Sequence, residues 1–363
     1  LRKGPCEGQR AAAPNSPSNS GKRQAKDEST SFQTVRPVAS VAEFDDVRFK
    51  DLRNVDLAGR DRLPETLTFN EATLWPSPIG DTTPKAIMAT AMNPGLEIRE
   101  LHEQGITGKG VNVAIIDQPL FTDHPEFAGK IAAYHGQADS SMHGPAVASL
   151  LVGAKCGTAP GAKVFYAAAP SWLKDAAYYA EALDWIIEQN RLLPANGKIR
   201  VVSVSAAPSG EGSPFAMNQT MWDKACEAAE SEGIMVLDCT THRGWIGPCY
   251  FGSDDREQVS QCRPGFPGMP GARVGYLLVP CSPRTTAEEY TKGQFGYQYC
   301  GRGGLSWAIP YCAGVLALGW QVKPELSNEA MRKSLMESAY VDDAGATFIH
   351  PAEFIRLITR AQI

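Results

Sequence analysis

From residue 94 onward the chain alternates two apolar patterns. "VNVAIID", "AKVFYAAA", "IRVVSVSAA", "IMVLDCT" and "RVGYLLVP" are short runs with little polar interruption. Between most of them lie longer segments with apolar residues at helical spacing, "HGPAVASLLVG", "WLKDAAYYAEALDWIIEQN" and "FAMNQTMWDKACEAAESEG". The first kind predicts strands buried on both faces and the second predicts helices. "PGLEIRELHEQG" adds a helix ahead of the first strand, striped by Leu96, Ile98 and Leu101. "GRGGLSWAIPYCAGVLALGW", "SNEAMRKSLMESAYV" and "AEFIRLITRA" add three more at the end. Alternation of this kind predicts an α/β fold with a mostly parallel sheet covered on both sides. Such sheets bind ligands beyond the carboxyl ends of their strands, and Asp117 closes one of these runs.

The segment before residue 94 behaves differently. Residues 1–40 form a low-complexity tail, rich in Ser, Pro, Ala, Gly and Lys, that cannot repay the entropy of ordering. Residues 41–85 read as an ordered extension and linker, leaving 86–363 as the main domain. Within the extension, Asp51, Asp56 and Asp61 recur every five residues and Leu52 and Leu57 follow two of them. That is too short a repeat to stack into a solenoid. "LWPSPIGDTTP" reads as a Pro-rich linker ending near Pro84.

Composition narrows the classes. At 43% hydrophobic and 21% charged over 363 residues, the chain buries a core without staples. A net charge of −5 offers no basic field for nucleic acid, and no apolar run is expected to span a membrane. Nine cysteines contain no C-x-x-C pair, so a zinc ribbon is not expected. Cys249, Cys262, Cys281 and Cys300 would supply a disulfide in an exported protein, but reduced, buried thiols are the preferred expectation. "LRKGPCEGQR" has charge without an apolar segment, which tilts the expected compartment toward the cytoplasm.

Ser306 opens the longest apolar helix, where it is either a helix cap or a nucleophile beside the dipole's positive end. A nucleophilic serine needs a base and an orienting acid. Among six histidines, His143 stands at the start of an apolar helix behind Ser140 and Ser141, with Pro145 in its first turn. Taken singly, His143 is also readable as structural and Asp117 as a turn residue. Together they give the order Asp117, His143, Ser306, the order found in subtilisin.

"GKGVNVAIID" with "DHPEFAGKI" resembles the aspartate segment of the subtilisin-like serine peptidases, the subtilases. "HGPAVASLLVG" with "GTAPGAKVFYAAA" resembles their histidine segment, and "GGLSWAIPYCAGVLAL" their G-x-S-x-A-x-P serine segment at Gly304, Ser306, Ala308 and Pro310. The resemblance covers roughly 94–341 and implies a three-layer αβα fold. It implies that Ser306 attacks a scissile carbonyl, His143 transfers the proton and Asp117 orients the imidazole. It further implies that Ser205, Ala206 and Ala207 pair with an extended protein or peptide substrate.

The chain departs from the family in several places. "LDCTTHRG" puts His242 where an Asn donor to the oxyanion is usual, so His242 is expected as a replacement donor. In subtilisin that donor is worth about 10²–10³ in rate. "DQP" and "HGP" replace D-[ST]-G and H-G-T, and Leu305 stands where Thr commonly precedes the serine. The calcium-binding loop after the histidine segment is missing, so no metal or other cofactor is implied. The preceding region does not match the usual inhibitory prodomain. Two alternatives remain at this point: a pseudopeptidase that keeps the fold as a binding or regulatory module, and an esterase of α/β-hydrolase type. The second would need an acid and a histidine after Ser306, and only Asp342, Asp343 and His350 are available there. Cys312 and Trp307 are expected in the core.

Overall fold

The computed structural model describes residues 34–77, 79–80, 82–271 and 275–360. Most of the tail expected to be disordered, residues 1–33, lies outside them. The extension contains strands β1 (Arg36–Pro37) and β2 (Lys50–Asp51), helix α1 (Leu63–Thr66), strand β3 (Thr68–Asn70) and helix α2 (Thr82–Ala91). The five-residue aspartate spacing has a local cause. Asp51 and Asp56 each accept the backbone N–H two residues on, at 3.0 and 2.9 Å, forming Asx turns. The leucines that follow, Leu52 and Leu57, drop into a small core with Phe69 and Trp75. Helix α2 corrects the linker expected up to Pro84. Pro84 sits in its first turn, where a missing N–H costs nothing.

Next come α3 (Ile98–Glu103), β4 (Asn112–Asp117), β5 (Ile131–His135), α4 (His143–Val152), β6 (Lys163–Ala168), α5 (Ala177–Leu192), β7 (Ile199–Val204), α6 (Gln219–Ser231) and β8 (Met235–Leu237). The five strands form one parallel sheet in the order β5-β6-β4-β7-β8. Side chains alternate between its faces. In β4, Val113 and Ile115 enter the core shared with α4, whereas Ala114 and Ile116 enter the core shared with α5 and α6. Both faces are therefore apolar, as the uninterrupted runs require. Helices on both sides complete the three-layer αβα arrangement.

Residues 246–300, which gave one expected strand, contain six: β9 (Ile246–Phe251), β10 (Cys262–Phe266), β11 (Met269–Pro270), β12 (Leu277–Ser282), β13 (Arg284–Thr291) and β14 (Gln294–Cys300). The chain closes with α7 (Leu305–Val322), α8 (Asn328–Glu337), β15 (Tyr340–Val341), β16 (Thr347–Phe348) and α9 (Pro351–Arg360). A second sheet runs β11-β10-β9-β12-β16-β15. A third joins the β13–β14 hairpin to β3 of the extension. Helix α7 corrects the expectation that no apolar run is long enough to cross a membrane: by length and composition it is, over 18 residues. It is nevertheless 78% buried inside the protein and serves as the central core helix. The eight described cysteines are unpaired thiols, and all but the half-buried Cys239 are buried.

Candidate active site

Asp117 is the last residue of β4 and is 2% exposed. His143 is the first residue of α4, and its Nδ1 lies 2.7 Å from Asp117 Oδ1. An ionised carboxylate only accepts, so Nδ1 carries the proton and Nε2 keeps its lone pair. The Gln118 N–H donates to the same Oδ1 at 2.7 Å. Burial alone would push the His143 pKa down. The charge of Asp117 and its hydrogen bond outweigh that and hold it above the ordinary histidine value.

The close approach of α4 to the loop after Asp117 depends on Gly144. A Cβ there would lie 2.2 Å from the Gln118 carbonyl oxygen and 2.7 Å from that of Pro119. Ser141 spans the same junction. Its hydroxyl donates to Pro119 O at 2.7 Å and accepts from the Gly144 N–H at 3.1 Å. Tyr166, in β6, donates its hydroxyl to Gln118 O. The residues that replace the usual D-[ST]-G thus have their own anchors.

Ser306 is the second residue of α7, and the cap is Gly304 in extended conformation. The capping alternative for Ser306 is therefore set aside. Pro310 explains what its neighbours do. Residue 310 of an uninterrupted helix would donate its N–H to the carbonyl of residue 306, and proline has none. That carbonyl instead accepts from the Ser205 hydroxyl at 2.8 Å. In return the Ser306 hydroxyl donates to the Ser205 carbonyl at 3.3 Å. The two serines lock α7 onto the end of β7. Trp307, next in line, is 6% exposed, and its ring lies 5.1 Å from the His143 imidazole. The expected core packing of Trp307 thus includes the imidazole itself.

Among the described residues no hydrogen bond joins Ser306 to His143; the serine hydroxyl is turned to Ser205. Ser205, Ala206 and Ala207 follow β7, and their carbonyls accept from Ser306, Cys239 and Ser213. Each carbonyl has a second lone pair. His242 lies elsewhere, in the turn after β8. Its Nε2 is 3.2 Å from Asp223 on α6, its ring packs against Gly210, and its side chain is 44% exposed. No hydrogen bond among the described residues ties it to Ser306 or His143. No group of three or more His, Cys, Asp or Glu side chains suited to a metal occurs among the described residues.

Ser141 and Gly144 fix the junction between Asp117 and His143, and Trp307 packs on the imidazole, contacts that motif spacing did not predict. The signal was present in part: "SSMHG" offers a hydroxyl ahead of a helix, and proline four residues after Ser306 implies a free carbonyl.

Known proteins agree with this architecture. The subtilase family model matches residues 108–248. A probable subtilase-type serine protease of Deinococcus radiodurans is 25% identical over 72% of this chain and 41% of its own length. The serine protease AprX of Bacillus subtilis is 25% identical over 69% of this chain and 66% of its own. The chain thus spans less than two thirds of these relatives. Subtilisin Savinase of Lederbergia lenta is 24% identical over 66% of this chain and 86% of its own. Two solved structures share the fold. The prenylagaramide maturation protease PagA superposes with a TM-score of 0.53 at 18% identity, covering 72% of this chain and 98% of that one. Fervidolysin of Fervidobacterium pennivorans, a keratinolytic enzyme related to subtilisin, gives 0.52 at 19% identity, covering 72% and 45%.

Proposed function

We propose that this chain, whose residues 108–248 match the subtilase family model and whose fold is shared with subtilisin-related structures, is a divergent subtilase and a serine endopeptidase acting through Asp117, His143 and Ser306. The observation that carries the proposal is the 2.7 Å contact of His143 with the buried carboxylate of Asp117, with the ring of Trp307, next to Ser306, against the imidazole. Catalysis begins when the Ser306 hydroxyl leaves the Ser205 carbonyl for His143 Nε2. The imidazole takes its proton as Oγ attacks the substrate carbonyl, and Asp117 stabilises the imidazolium. The proton then passes to the leaving amine, and water hydrolyses the acyl-enzyme. The backbone N–H groups of Leu305 and Ser306, which precede the first hydrogen bond of α7 (Trp307 N–H to Gly304 O, 2.9 Å), hold the oxyanion at the positive end of the helix dipole. His242 would join them as a second donor only by leaving Asp223.

The substrate is an extended protein or peptide segment laid along Ser205–Ala207, whose carbonyls keep acceptor capacity. Exposed apolar side chains flank the same carboxyl end of the sheet. Trp172, after β6, is 58% exposed, and Met217, between β7 and α6, is 52% exposed. Backbone hydrogen bonds from Ala216 to Lys174 and from Ala176 to Met217 tie the two loops together. They suit apolar substrate side chains. The mechanism as proposed uses no metal or other cofactor.

One observation favours the alternative of an impaired peptidase acting as a binding module: the serine hydroxyl donates to Ser205 and not to His143. Incubation with an unfolded protein substrate, followed by mass spectrometry of the products, separates the two. New termini with wild type and none with Ser306→Ala support the peptidase. Intact substrate retained by both proteins supports the binding module.

A further inference from the structure

Five consecutive residues on the approach to Ser306 are each held by the N-terminal extension. The Arg48 guanidinium donates to Gln298 Oε1 at 2.7 Å. Tyr299 packs its ring on Phe69 at 4.9 Å and donates its hydroxyl to Glu65 O at 2.6 Å. Cys300 pairs with Thr68 in the β14–β3 ladder. The Gly301 N–H donates to Leu67 O at 3.0 Å. The Arg302 guanidinium lies 3.9 Å above the Phe44 ring. Gly301 is held so closely that a Cβ would fall 2.5 Å from the Thr66 carbonyl.

The other strand of the hairpin reaches the remaining two candidate groups. The Ala287 N–H of β13 donates to Ser149 on the His143 helix at 3.0 Å. Glu289 accepts the Phe121 N–H, in the loop after Asp117, at 2.9 Å. A buried polar latch fastens the hairpin to the extension: Asn70 donates to Glu288 at 2.9 Å, and Arg48 lies 3.8 Å from the same carboxyl group.

We infer that the extension, residues 44–75, is a fixed part of the site that positions Ser306, and that Gly301 and Arg48 are positioning residues for it. The hairpin touches the elements bearing Asp117, His143 and Ser306, and β3 is its third strand. A two-stranded hairpin is marginal alone, and a third strand with a packed face stabilises it. The extension therefore sets the path of 298–302, and with it the start of α7. The bracing of this segment stands by itself, whereas its effect on rate rests on the peptidase assignment.

Hydrogen exchange on the full chain tests the brace without requiring activity. The variants are Gly301→Ala and Arg48→Gln, so that one remains if the other fails to fold. The control is Leu183→Ala, in the core on the opposite face of the sheet. The brace predicts that each folded variant exchanges amides 299–305 about tenfold faster or more, with 113–117 unchanged. The control should leave 299–305 at the wild-type rate even where it loses as much thermal stability. Wild-type exchange at 299–305 in both variants, or equal acceleration in the control, overturns the inference. In parallel, saturating fluorophosphonate should phosphonylate the variants more slowly per folded molecule, with unchanged affinity for the probe. A wild type that never labels overturns the peptidase assignment while exchange still decides the brace.

Discussion

Two histidines in this molecule sit beside an aspartate, and their surroundings separate them. His143 and Asp117 meet at 2.7 Å, with side chains 19% and 3% exposed. His242 and Asp223 meet at 3.2 Å, with side chains 44% and 34% exposed. Water and salt screen the second pair, so it is worth little and constrains little. The first pair is shielded, fixes one tautomer and holds the imidazole pKa above its usual value. The lesson is that burial, and what packs on the ring, here Trp307, are what fit a His–carboxylate contact for the role proposed for it.

The sharpest break of this comparison is one substitution made twice. Asp117→Asn should lower kcat by about 10⁴, because the imidazole loses its tautomer and its counter-charge. Asp223→Asn should change kcat less than about threefold, as expected for an exposed pair. Steady-state hydrolysis of a peptide substrate measures both, and equal effects would erase the distinction.

Ser205→Ala comes next. It removes the donor to the Ser306 carbonyl and leaves that carbonyl half-buried without a partner, at a cost of about 1–3 kcal/mol. The expected signature is a kcat several-fold lower with KM little changed, from a loosened start of α7. His242→Ala should have a smaller effect, under about threefold, because its ring is engaged with Asp223. A loss of about 10² in kcat at constant KM would instead restore it as an oxyanion donor.

Another buried carboxyl extends the comparison to stability. Glu289 has Phe121 N–H as its partner at one oxygen and none among the described residues at the other, and burial pushes its pKa up to about 8. Its folded-state pKa lies above the unfolded value. Its contribution to stability is therefore complete below about pH 4.5 and lost as pH rises through about 8. Glu289→Gln should flatten the fall in Tm between pH 5 and pH 9 by a few degrees, about 2–4 °C per kcal/mol recovered. An unchanged pH slope in thermal melts would show that this carboxyl is not the group responsible.

Legibility in the sequence followed the same physics. β4, α4 and α7 were readable because apolar spacing reports burial directly, and Asp117, His143 and Ser306 stand at their ends. The hairpin was not readable. "RTTAEEYTKGQFGYQYC" carries Arg284, Glu288, Glu289 and Gln298, all of them buried. Arg48 and Asn70, partners of Gln298 and Glu288, lie more than 200 residues earlier in the chain. No local pattern encodes such a pairing. Helix α2 was hidden because "DTTP" has the composition of a turn. His242 was singled out by motif alignment alone, and the fold of the 238–244 turn, fixed by Asp238 accepting from Trp222 and Thr240, aims it at Asp223.

The measurement that bears most directly on the proposed triad is the pH dependence of Ser306 phosphonylation by a fluorophosphonate, in which the serine oxygen displaces fluoride from phosphorus, followed by mass spectrometry of the adduct. A base must be neutral to act, and the His143 pKa is raised. The rate should therefore climb with pH through a single inflection above about 6.5, the ordinary histidine value. The adduct should map to Ser306, and Asp117→Asn should move the inflection down while slowing the reaction. A folded protein that takes up no probe at any pH, or one labelled at another residue, would contradict the account.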